Sequence, residues 1–170
     1  SYNAGALLSG NYLFYVAESD GSCTSLTAAV GVTVNALPAA PVAAGITICS
    51  GNSATLSATV AGSANWYSDA ALTNLVGTGS VFNTGILTST TDYFVTQTDA
   101  NGCASAATTV TVSVDPLPVD PVGTGASICS GSTASISATG SGGTLNWYSD
   151  AAGSNMVGTG FSFVTPALTQ

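Results

Sequence analysis

Asn65-Trp66-Tyr67-Ser68-Asp69-Ala70-Ala71 returns, residue for residue, as Asn146-Trp147-Tyr148-Ser149-Asp150-Ala151-Ala152. A string this rich in aromatic and turn residues marks an internal repeat, and a repeat sets the architecture before any single element is read. Working outward, Val76-Gly77-Thr78-Gly79 recurs as Val157-Gly158-Thr159-Gly160, and Ile48-Cys49-Ser50-Gly51 as Ile128-Cys129-Ser130-Gly131. Pro41 to Pro121, Cys49 to Cys129 and Cys23 to Cys103 are each 80 residues apart. One extra residue in the 140–143 loop and one fewer in the 20–23 turn complete the alignment. Turns tolerate such single-residue changes because their backbone lies at the surface.

This register divides the chain. Residues 1–37 read as the back half of one module, 38–117 as a complete module, and 118–170 as the front half of a third. The joints, Leu37-Pro38-Ala39-Ala40-Pro41 and Leu117-Pro118-Val119-Asp120-Pro121, are rich in proline. Such segments act as short, semi-rigid spacers. The two partial modules are expected to pack against complementary β structure, from adjacent repeats or from copies of the chain, in a linear head-to-tail array.

Strand signals crowd the complete module. Residues 53–60 alternate apolar and polar side chains, and 108–114 place Val110, Val112 and Val114 on one face. Asn65-Trp66-Tyr67 is a short aromatic strand, and Tyr93 to Thr98 another. Asp99-Ala100-Asn101-Gly102 is a turn signal between two strands. No window shows helical periodicity with caps. About seven short strands in one repeat predict an all-β antiparallel sandwich. Its expected core contains Leu56, Trp66, Val95, Val110 and Val112.

Composition narrows the function. Among 170 residues there is no Lys, Arg or His, and eight acidic residues set the net charge at −8. Nucleic-acid binding needs cations that displace counterions from phosphate, and none exist here. Attraction to anionic membrane surfaces is excluded on the same ground. Prolines, threonines and glycines break every apolar stretch, so no membrane-inserting helix is expected. A Lys–Asn amide crosslink cannot form. Without His or Lys there is no usual base to activate a serine, so no enzyme is expected and no catalytic residue is assigned.

Ile-Cys-Ser-Gly, then Asn-Trp-Tyr-Ser-Asp, then Tyr-Phe-Val-Thr-Gln-Thr-Asp-Ala-Asn-Gly-Cys resembles an immunoglobulin-like tandem repeat of Bacteroidota secreted and cell-surface proteins, over all 170 residues. The resemblance implies tandem immunoglobulin-like sandwiches in long adhesins or surface fibres, or beside secreted polysaccharide-degrading enzymes. It implies export to the cell surface. The turn Asp20-Gly21-Ser22-Cys23 departs from the pattern by one residue.

Four cysteines without His or a Cys-x-x-Cys pair point to disulfides rather than metal. Two pairings compete. Cys49–Cys103 would close a loop within the complete module, leaving Cys23 and Cys129 to partners outside this segment. The turns carrying Cys49 and Cys103 should, however, lie at opposite ends of a sandwich, which makes staples between neighbouring modules the alternative; the matching cysteine count keeps the pair within the module as the leading expectation. Trp66 and Trp147 are expected in the cores. Tyr67 and Tyr148 point the other way along their strands and are candidates for a surface contact, such as a glycan. Asp115 and Asp120 bracket a joint and are the weak candidates for calcium, which needs six to eight oxygens; no other cofactor is expected. The leading expectation is a structural or adhesive stalk outside the cell. The alternative is an accessory carbohydrate-binding or spacer module of a secreted polysaccharide-degrading enzyme.

Overall fold

The structure, a computed structural model, describes residues 6–169. Every regular element among them is a strand. The chain divides into two compact units, residues 1–115 and 116–170.

The first unit opens with a hairpin, β1 (Gly10–Val16) and β2 (Ala28–Val34), paired antiparallel from Gly10↔Val34 to Val16↔Ala28. The complete module follows, with β3 (Val42–Ala43), β4 (Ile46–Cys49), β5 (Thr55–Thr59), β6 (Ser63–Tyr67), β7 (Leu75–Thr78), β8 (Val81–Asn83), β9 (Thr91–Thr98) and β10 (Thr108–Asp115). Five strands form one sheet in the order β4-β10-β9-β6-β7, and three form the other in the order β3-β5-β8. The first strand thus switches sheets at Ala44-Gly45. A Cβ at Gly45 would run into the carbonyl oxygen of Thr111, so only glycine permits the crossing.

Period-2 alternation decides what each strand buries. On β5, Leu56 and Ala58 turn inward while Thr55, Ser57 and Thr59 face water. Trp66, Leu56, Val95, Val110 and Val112 are at most 1% exposed, and Ala54, Ala58, Ala64 and Tyr93 complete the core. Phe82 stacks on Trp66 at 5.6 Å and meets Tyr93 edge-on at 5.2 Å. The indole Nε1 donates to the Gly79 carbonyl at 2.9 Å, so Trp66 buries no unpaired polar atom. The repeated Val-Gly-Thr-Gly has a packing reason. A Cβ at Gly77 would meet the Phe82 ring at 2.6 Å.

The second unit repeats the front half. Strands β11 (Val122–Thr124), β12 (Ser135–Thr139) and β15 (Ser162–Val164) form one sheet, and β13 (Asn146–Tyr148) pairs with β14 (Met156–Thr159). Trp147 Nε1 donates to Gly160 at 2.8 Å and Phe163 stacks on the indole at 5.8 Å, as in the complete module. Trp147 is nevertheless only half-buried, whereas a buried core indole was expected. The physical reason is that strands equivalent to β9 and β10, which cover Trp66, have no counterpart among the described residues of this unit.

Candidate functional site

The chemistry-bearing residues gather at the two ends of the complete module. Strands β4 and β10 run parallel, with Ile46 beside Val112 and Cys49 beside Asp115. The chain therefore leaves the module at the end that carries Cys49. There Ser50 N donates to Asp115 O at 2.8 Å and Gly51 N to Leu87 O at 2.9 Å, leaving Cys49 exposed.

The other end holds the entering joint. Gln97 is 5% exposed, and both the oxygen and the nitrogen of its amide are hydrogen-bonded. Its Oε1 accepts from Ala61 N at 2.7 Å and Gly62 N at 3.0 Å, while Nε2 donates to Ala39 O at 2.6 Å. Thr108 Oγ1 donates to Pro41 O at 2.6 Å. Two side chains from the last strand pair thus pin the proline-rich joint. Sequence reasoning missed Gln97. The available signal was a glutamine in the run Tyr93–Thr98, otherwise built from aromatic, Val and Thr residues.

The β9–β10 turn sits at this same end. Asp99 Oδ1 accepts from Asn101 N and Cys103 N, both at 2.9 Å, and Cys103 is half-buried. Cys103 precedes β10 and Cys49 lies beside its last residue. Seven residues of strand, about 23 Å at 3.3 Å per residue, separate those levels. A disulfide tolerates a Cα separation of under about 7 Å. The Cys49–Cys103 pairing within one module is corrected on this ground: the two residues are not bridged in this structure. Cys23 and Cys129 are exposed.

The remaining candidates separate. Tyr67 is half-buried and Tyr148 is 44% exposed. Asp115 and Asp120 are both exposed, Asp115 closing β10 and Asp120 lying in a joint. Among the described residues no three acidic or cysteine side chains come together as a metal cluster.

The other repeated acid is structural. Asp69 accepts from Thr73 N at 3.1 Å and Asn74 N at 2.6 Å, and Asp150 from Ser154 N and Asn155 N at 3.1 and 2.7 Å. The loop needs one left-handed residue, which is Leu72 in one copy and Gly153 in the other. Asp20 likewise accepts from Cys23 N at 2.8 Å and Ser22 N at 2.9 Å. These amide donors hold all three carboxyls below their ordinary 3.8. A depressed carboxyl pKa stabilises the fold above the unfolded value and loses that contribution as pH falls through the folded one. Urea midpoints should therefore hold steady from neutral pH down to about 4 and decline in stronger acid. Asp69→Asn should flatten part of that decline. An unchanged acid limb would show that these turns contribute nothing.

A family profile described as "Ig-like domain CHU_C associated" matches residues 38–116 and 118–170. The chain belongs to this family. As Ig-like repeats of the CHU_C-associated type, its modules are structural or adhesive, and the family is typical of secreted and surface proteins. Among solved structures, the Ig-like chain is similar to the FN1–FN3 domains of chicken CNTN1, with 14% identity and a TM-score of 0.37. That match covers 94% of this chain and 66% of the CNTN1 chain. No curated protein matches it. Among the described residues no helix of this Ig-like chain is long and apolar enough to cross a membrane.

Proposed function

We propose that the chain is a rigid stalk segment of an extracellular adhesin or surface fibre, with no catalytic role. The observation that supports this reading is the position of the joints. Chain enters the complete module at one end, where Gln97 and Thr108 bind the joint, and leaves at the other beside Cys49. A module entered at one end and left at the other presents its two joints at opposite poles. The cysteines fit the same geometry. One lies at the leaving end and one at the entering end, so each joint of a series is flanked by an early cysteine on one side and a late cysteine on the other. A disulfide there would limit bending at every joint.

Repeats of increasing number, oxidised and studied by small-angle scattering, test the reading. Length should grow in proportion to module count. Growth with the square root of that count, the law for flexible linkers, would refute it. The accessory carbohydrate-binding reading stands second. Tyr148 supplies one exposed ring, and a glycan array would reveal any sugar it stacks on.

A further inference from the structure

In the complete module, the face of the five-stranded sheet turned away from the core carries an aromatic pair that the core does not use. Tyr93 and Val95 point inward, so Phe94 between them points out. Trp66 points inward, so Tyr67 points out. The register sets Tyr67 directly opposite Phe94, with Thr109 beyond Phe94 on β10 and Leu75 beyond Tyr67 on β7. Leu75, Tyr67, Phe94 and Thr109 therefore form one row across four strands, about 14 Å long at the usual strand spacing. Both rings are half-buried, Leu75 is 52% exposed, and Thr109 is exposed. Polar pairs flank the row. On one side Thr111 Oγ1 donates to Asp92 Oδ1 at 2.6 Å, and on the other Asn65 Nδ2 donates to Thr98 Oγ1 at 3.2 Å.

The repeat keeps the rings while their neighbours vary. Tyr148 stands at the position of Tyr67. Tyr15 stands at that of Phe94, paired with Ala29 as Phe94 is paired with Thr109. Leu13 and Gly31 replace the Asp92–Thr111 pair. A cross-strand pair supports a sheet with β-branched as well as aromatic side chains, so stability alone does not call for a ring at both positions.

We propose that this row binds a neutral polysaccharide, with Tyr67 and Phe94 stacked beneath its sugar rings and Asp92 and Asn65 on its hydroxyls. The negative face of an aromatic ring attracts the C–H face of a pyranose. The Asp92 carboxylate accepts from a sugar hydroxyl, and the Asn65 amide both donates and accepts. Each of these polar side chains is already held by a neighbour, so little rotamer freedom is lost on binding. Charge selects the class of glycan. The chain has no Lys, Arg or His and a net charge of −8, so uronates and sulfated glycans find no counter-charge and are repelled. A second copy carries the same negative charge and is disfavoured on the same ground. The site rests on the adhesive part of the reading above and not on the stiffness of the joints, which scattering tests separately.

Retention of the 170-residue chain on insoluble cellulose, chitin and mannan tests the site, with immobilised polygalacturonate as the anionic control. The parent for all variants carries Tyr15→Ser and Tyr148→Ser, so that the complete module alone presents the paired rings. At least one neutral polymer should hold this parent, and polygalacturonate should not. Phe94→Leu and Tyr67→Leu keep an apolar side chain and remove a ring, so each should weaken retention about tenfold with circular dichroism unchanged. Tyr67→Phe keeps the ring and should be held as the parent is. Passage through every neutral polymer, tighter retention on polygalacturonate, or retention that neither leucine variant weakens would overturn the site and leave the stalk reading standing. Self-association without glycan that Phe94→Leu abolishes would assign the face to a second copy and overturn it equally.

Discussion

Trp66→Ala should remove most of the stability of the complete module, on the order of 3–5 kcal/mol. The indole is fully buried between the two sheets, stacked on Phe82 and opposite Val95. Truncation leaves a cavity that Leu56, Val95 and Val110 cannot fill, and it orphans the Gly79 carbonyl. Domains of this size are stable by roughly 5–15 kcal/mol, so the variant should be marginal at room temperature. Trp147→Ala is the internal control. Its indole has the same hydrogen bond and the same stacked phenylalanine but is less completely buried, so its cost should be smaller. Urea unfolding followed by far-ultraviolet circular dichroism measures both. Equal losses would mean that the β9–β10 pair adds nothing to the core around Trp66.

Gln97→Ala should cost about 3 kcal/mol, because unpaired buried amides and carbonyls each cost roughly 1–3 kcal/mol and water reaches some of them. The substitution strands Ala61 N, Gly62 N and Ala39 O together. Hydrogen exchange should quicken at the Ala61 and Gly62 amides. Gln97→Glu keeps both acceptor bonds and replaces the donation to Ala39 by repulsion between a carboxylate and a carbonyl oxygen, so protection at those two amides should survive while the joint loosens. Loss of protection in both variants alike would show that the glutamine acts through its bulk.

The fold was legible because its signals are periodic. Alternation over residues 53–60 and 108–114 names the inward face without tertiary information, and the repeated Trp marks the strand on which the sheets close. The joint pin was not legible, because a buried glutamine is recognisable only once its three backbone partners are known, and these lie 35 to 58 residues away. Cysteine pairing failed for a related reason. One cysteine early and one late in each repeat suggests a bridge within the repeat, but the parallel pairing of β4 with β10 sets them a strand length apart. The difference between Trp66 and Trp147 was equally hidden, since identical local sequence carries different burial when the covering strands differ.

The parallel pairing of β4 with β10 also decides how the module answers a pull. Tension on the entering joint acts on the first strand, and tension on the leaving segment acts on β10 in the opposite sense. The two strands are adjacent, and four register pairs, from Ile46↔Val112 to Cys49↔Asp115, lie between them. Force directed along the strands loads those pairs in shear, all at once. Had the two strands been antiparallel, with both chain ends leaving the same side, the same tension would have peeled the bonds one at a time. The module is therefore built to resist extension along the direction in which its chain runs.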